Sequence, residues 1–208
     1  MFPTVNNASI KDLSSALAVS KVQSEGPSNA GKAFIRFDFK TGSYSYGRDQ
    51  EDITNDNIVV NTSSFVHGWV LWTNGTPNKV QRSFVEELPD PMPGNANGDQ
   101  PSESRGFEAR FEDDPETVLV FETSSYGGRK GCDNLLNAIR IRSAGGEQEY
   151  LFPVVQLASE SYKAKQGGTI HNPVFNIVGW MNQEGELEGN TAKLDAPEEP
   201  VTRRRRNA

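Results

Sequence analysis

From Phe34 to Trp180 the chain breaks into short runs in which apolar and polar residues alternate. Nearly every run ends at Gly, Pro or Asn, and the 208 residues include 19 Gly and 12 Pro. Such a chain is restricted to short strands joined by turns, with little room for helix. In FIRFDFKTGSYSYGR, residues 34–48, alternation sends Ile35, Phe37 and Phe39 to one face and Arg36, Asp38 and Lys40 to the other. A two-residue turn at Thr41-Gly42 sets Tyr44 opposite Phe39 and Tyr46 opposite Phe37. All five large side chains then share one face and enter a core. Arg36 and Lys40 share the opposite face with Ser43 and Ser45.

A second hairpin is expected in SSFVHGWVLWTNGTPNKVQRSFV, with its turn in NGTPN. Trp69 and Trp72 differ by an odd number, so a regular strand puts them on opposite faces unless Gly68 makes a bulge. Trp72, beside the turn, is the one expected to be exposed. LPDPMPGNANGDQPSESRG reads as a long mobile loop over about residues 88–106. Strands follow at Phe107–Phe111 and Thr117–Thr123 around an EDDPE turn. TSSYGGRKG reads as a Gly-rich basic loop, and CDNLLNAIRIR has the spacing of one helix. YLFPVVQLASES and VFNIVGW read as the last strands, joined by the basic connection YKAKQGGTIHNP.

These elements predict a mainly β core domain over residues 31–181. An OB-like Greek-key barrel with one or two short helices is the leading architecture, and an antiparallel β-sandwich the alternative. Residues 1–30 form an N-terminal segment in which Ile10–Val22 has the spacing of a short helix. Residues 182–208 read as a disordered acidic tail ending in RRRR.

The net charge of −7 argues against a general polyanion binder, but the charge is segregated. Phe84–Glu122 carries eleven acidic residues against Arg105 and Arg110. Gly31–Arg48 has four cations against Asp38, and Thr123–Arg142 four against Asp133. Two histidines and one cysteine are too few for a common zinc site, and no phosphate-binding Walker spacing occurs. Glu112, Asp113, Asp114 and Glu116 are the one acidic group that a divalent cation of a nuclease would use, but a solvated acidic turn explains them as well. No enzyme, cofactor or metal is expected. The single cysteine excludes an internal disulfide, and no apolar run approaches the ~20 residues of a membrane helix.

Three stretches combine aromatics, cations and glycine: the opening hairpin, TSSYGGRKG and YKAKQGG. Single-stranded nucleic acid needs that combination, because cations neutralise its backbone and exposed rings accept any base. The backbone contacts fall to Arg36, Lys40, Arg129, Lys130, Lys163 and Lys165. Stacking falls to Tyr44, Tyr126, Tyr162 and Trp72. Because five large side chains exposed together would leave a large apolar patch, the hairpin's share of the work passes mainly to its cations.

In FIRFDFKTGSYSYGR, FVHGWVLW, FETSSYGGRKG and FPVVQLASESYKAKQGGTIHNPVFNIVGW, in that order, the chain resembles a family of small tailed-bacteriophage proteins of DNA replication and recombination. It is also similar in plan to phage single-stranded DNA-binding proteins, a barrel followed by an acidic tail. The ending RRRRNA and the acidic stretch Phe84–Glu122 depart from that plan. The resemblance implies a protein of the host cytoplasm that coats single-stranded DNA. It also implies recruitment of phage replication or recombination proteins through the tail, with homo-oligomer formation left open. A virion structural or decoration protein is the alternative, and a nuclease or nuclease inhibitor the third reading.

Overall fold

The opening hairpin forms, but its turn is longer than two residues. In the computed structural model, which describes residues 31–164 and 167–189, β1 (Lys32–Phe37) pairs with β2 (Tyr44–Tyr46) so that Phe37 faces Tyr44 and Ile35 faces Tyr46. Six residues, Asp38–Ser43, make the connection. Asp38 organises it: its carboxylate accepts from Lys40 N at 2.8 Å and its carbonyl from Gly42 N at 2.8 Å. The register therefore differs by two from the expected one. Ile35, Phe37, Tyr44 and Tyr46 do share the core-facing side, but Phe39 lies beyond the last pair and is 54% exposed.

The remaining elements are β3 (Glu51–Asp52), β4 (Asn57–Val60), β5 (Val66–Thr73), β6 (Thr76–Ser83), β7 (Ser102–Phe111), β8 (Val118–Thr123), α1 (Tyr126–Ala144), β9 (Phe152–Lys163) and β10 (Thr169–Met181). All ten strands join one mixed sheet in the order β10-β9-β4-β7-β8-β1-β2-β3, with β5 beside β7 and β6 beyond β5. The molecule is thus mainly β with one helix among the described residues, as the alternation implied. The pairing of β1 with β8 is parallel, which a pattern of short hairpins does not announce.

The sheet rolls until its ends meet. Phe175 of β10 touches Phe107 of β7 and Phe121 of β8, with ring centroids 5.2 and 5.1 Å apart, although β9 and β4 separate β10 from β7. His171 N of β10 donates to Phe39 O at 2.8 Å, and the Tyr44 hydroxyl donates to Ala158 O at 2.7 Å. α1 packs against β10 and β7 and closes the core with Cys132, Leu135 and Ile139. Their spacing of three and four places them on one helical stripe.

β5 and β6 turn at Asn74-Gly75, where both residues have positive φ (52° and 78°), the geometry such a two-residue loop needs. Their register runs without a bulge at Gly68, so Trp69 and Trp72 take opposite faces. Trp69 is half-buried and donates to Pro89 O at 2.7 Å; Trp72 is 55% exposed. Pro77 faces Trp72 on β6, which pairs only with β5, and an edge strand tolerates a proline.

Three segments differ from expectation. Ser102–Gly106 is not loop but the first half of β7, paired with β5 on one side and, at Arg105 and Gly106, with β8 on the other. Ser104 and Gly106 are buried there, where small residues admit close backbones. Residues 182–189 fold back on β10: Glu186 N donates to Asn182 Oδ1 at 2.8 Å, and Glu188 N to Trp180 O at 2.8 Å. Leu187 thereby covers a second small core of Val59, Phe152, Val154 and Met181. Finally, α1 starts at Tyr126, six residues before the expected start at Cys132. The helix expected at Ile10–Val22, residues 190–208 with their four arginines, and Lys165 lie outside the described residues.

Candidate nucleic-acid interface

The first turns of α1 hold three glycines, poor helix formers, and yet the helix begins there. Ser125 supplies the cap, its hydroxyl accepting from Gly128 N at 3.1 Å. The glycines allow α1 to lie against β10. A Cβ at Gly127 would collide with the side chain of Asn172, and one at Gly131 would sit 2.9 Å from Pro173 O. TSSYGGRKG is therefore not a loop. It is a capped helix start pinned to the first residues of β10, and it holds Tyr126 78% exposed.

The same residues of β10 receive the other two basic stretches. Thr169 pairs with Lys163 and accepts from Lys163 Nζ at 3.0 Å, and Ile170 pairs with Tyr162. His171 bonds to Phe39 O, and Gly42 approaches the His171 ring so closely that a Cβ would lie 2.5 Å from Nδ1. Three stretches far apart in the chain thus converge on Thr169–Pro173. On these stretches Phe39, Tyr126 and Tyr162 are exposed rings and Lys40, Lys130 and Lys163 exposed cations, with Tyr162 and Lys163 on opposite faces of the β9–β10 ribbon. The Lys40 ammonium lies 5.9 Å from the Phe39 ring centroid, a cation–π distance. The acids of this surface are Asp38, whose carboxyl is held below its ordinary range chiefly by the Lys40 N–H bond, and Glu160, which pairs with Asn172.

Two expected residues fall away. Tyr44 is fully buried: its hydroxyl donates to Ala158 O and accepts from Val174 N at 3.1 Å. Burial pushes its phenol pKa up, and no base can stack on it. Alternation put Tyr44 on the core face, and the six-residue turn left it no exposed position at the tip. Arg129 does not face phosphate either. Its guanidinium pairs with Glu103 of β7, which also pairs with Arg105 at 2.7 Å; Arg105 in turn reaches Asp133 at 3.1 Å. This network ties α1 to β7, and Arg129 is committed to it.

Arg36 is exposed in mid-strand opposite Ser45, on the face expected for it. Trp72 sits on the β5–β6 ribbon, beyond the last pair that β5 makes with β7 at Val70 and Ser102. Sequence reasoning missed Phe39. The signal was Asp38, whose side chain commonly bonds backbone two residues on and lengthens a turn. Among the described residues no three of His, Cys, Asp and Glu come together as metal ligands would, and no helix is long and apolar enough to cross a membrane. In the acidic turn, Asp114 accepts from Thr117 Oγ1 at 2.6 Å and from Glu116 N at 3.1 Å, so it closes the β7–β8 connection.

No protein-family model matches the chain, and neither a curated protein nor a solved structure matches it.

Proposed function

We propose that this protein binds single-stranded DNA without strong sequence preference, on the surface around Thr169–Pro173, as a non-enzymatic component of a phage replication or recombination system in the host cytoplasm. The observation that carries the reading is the meeting of three stretches, each with an exposed ring and an exposed lysine, at one segment of β10. Stacking on such rings contributes about 1–3 kcal/mol per base, and every base has a face to offer. The lysines neutralise the backbone. Sequence-selective duplex reading needs an element that presents amides and arginines to base edges. α1 instead points its buried stripe at the core and pairs Arg129 with Glu103. In this reading the acidic stretch after Gly189 recruits replication or recombination partners.

The test is a titration of a labelled oligo(dT) by fluorescence anisotropy over a range of salt. Binding that weakens steeply as salt rises is expected. No binding at low salt overturns the proposal.

A virion structural role is the second reading. The exposed apolar side chains of Val80, Phe84, Val85 and Leu88, on and after the edge strand β6, favour it, because an apolar strip of this kind suits assembly. Sedimentation of the free protein separates the two. A monomer that binds oligo(dT) favours DNA binding, and higher assembly without it favours the virion.

A further inference from the structure

The far end of β10 has the opposite character. Two adjoining cavities of about 550 and 300 Å³ share Asn57 and Glu112 and so form one groove. Asp56, Glu112 and Asp113 line its first part around the Phe111 ring. Trp180, Leu187 and Glu188 line its second part. The carboxylates are strung along the groove rather than gathered on a point, since no three of them meet as metal ligands would among the described residues. Carboxylates spaced beside aromatic rings suit a row of guanidinium groups, which pair with the acids and stack on the rings.

The groove already holds one arginine in this manner. The Arg142 guanidinium lies 4.5 Å from the Trp180 ring centroid and 2.8 Å from Glu188 Oε1. The chain itself leaves from the same wall, because Leu187 and Glu188 are followed at once by Gly189, the last described residue. Fourteen residues beyond Gly189 comes Arg203, the first of four consecutive arginines.

We propose that this groove is the docking site of Arg203–Arg206 of the same chain. Reach is no obstacle: fourteen residues of chain can span up to about 45 Å, and they follow directly from the groove wall. Tethering raises the local concentration of the arginines to about the millimolar range, so a weak groove suffices. The acids lack compensation at one point, since partial burial and then repulsion from Asp52, Asp113 and Glu51 hold the Asp56 carboxyl above its ordinary range. A guanidinium there relieves that repulsion. Docked arginines are withheld from phosphate, so nucleic acid and groove compete for them. That consequence rests on the DNA-binding reading, whereas docking itself does not.

The experiment uses a fluorescein-labelled peptide of residues 200–208 and the full chain with Arg203, Arg204, Arg205 and Arg206 all changed to Ser. Anisotropy is expected to show saturable binding with Kd below ~1 mM at low salt, lost as salt rises. Glu112→Gln with Asp113→Asn, both at exposed positions, is expected to weaken it about tenfold or more. The unaltered chain is expected to bind the peptide at least about twofold more weakly than the tetra-Ser chain, and more so the lower the Kd, because its own arginines hold the groove. Absence of peptide binding to the tetra-Ser chain overturns the proposal. So does indifference to the Glu112/Asp113 changes, or equal binding by the unaltered chain. None of these measurements involves DNA, so the DNA-binding reading can fail while docking stands.

Discussion

The two ends of β10 place rings and cations together and use them in opposite ways. Around Thr169–Pro173, Phe39, Tyr126 and Tyr162 stand open to solvent, and Lys40, Lys130 and Lys163 on the same three stretches are exposed as well. At Val178–Met181, Trp180 is covered by Arg142, and Glu188 completes the stack. Trp180, stacked under an arginine that is itself ion-paired, is structural, whereas the proposed binding surface relies on rings open to solvent. The net charge of −7 is summed over the whole chain and describes neither end. Arg105, Arg129 and Arg142 are spent in ion pairs with Glu103, Asp133, Glu147 and Glu188, as suits a planar fork that matches carboxylates.

The strongest way to break this comparison is to remove the open rings together. Changing Phe39, Tyr126 and Tyr162 to Ala is expected to cost oligo(dT) affinity a hundredfold or more, from about 1–3 kcal/mol per ring. Thermal stability should barely move, since all three are exposed. Retained affinity in the anisotropy assay would place the ligand elsewhere, with Trp72 the first residue to try.

Tyr44→Phe is the mirror image. It leaves Ala158 O and Val174 N with one partner fewer and is expected to lower unfolding free energy by about 1–3 kcal/mol in a denaturant titration. Affinity for oligo(dT) should not change. A loss of affinity with unchanged stability would restore Tyr44 to the binding surface.

A third measurement sharpens the comparison through pH. His67 of β5 is buried against Phe84, and burial, followed by the nearby Arg105, depresses its pKa; Glu103 and Glu86 oppose this more weakly. Below the ordinary histidine value the unfolded chain binds the proton more readily than the folded one, so stability falls as pH drops from about 7 toward 5. Melting curves of His67→Gln should show a flatter dependence over that window. A slope identical to the unaltered chain would assign the loss to other groups. DNA affinity at fixed salt should not follow this residue.

The smallest effect is the most local. Lys40, Lys130 and Lys163 changed singly to Gln should each reduce the slope of log affinity against log salt by about 0.7, one phosphate contact on a single strand. The same change at Lys79, which pairs with Glu122, should leave the slope as it was. Slopes that respond to Lys79 and not to the three lysines would move the interface to the β5–β6 side.

Much of the β character was legible because it is local. Alternation between Ile35 and Phe37, the Asn74-Gly75 turn and the odd offset of Trp69 and Trp72 each depend on neighbours within a few residues. The candidate surface was legible only in part: Tyr126, Tyr162, Lys40, Lys130 and Lys163 were named from local composition, whereas Phe39 was placed in the core. The Asp38 turn changed its position by two residues. The start of α1 was missed because three glycines weigh against a helix, and what favours it there is close packing on Asn172 and Pro173, some 45 residues further along the chain.

By itself, then, the chain's alternation and turn chemistry determined that short strands would dominate, that Trp69 and Trp72 would take opposite faces, and that cations and acids would fall in separate blocks. Tertiary structure alone decided which blocks meet. The parallel pairing of β1 with β8, the pinning of the opening hairpin and of the α1 start to Thr169–Pro173 and the capture of Arg129 by Glu103 all join residues distant in sequence. Their energies come from hydrogen bonds, ion pairs and buried area that exist only once the sheet has rolled, and a local pattern carries no record of them.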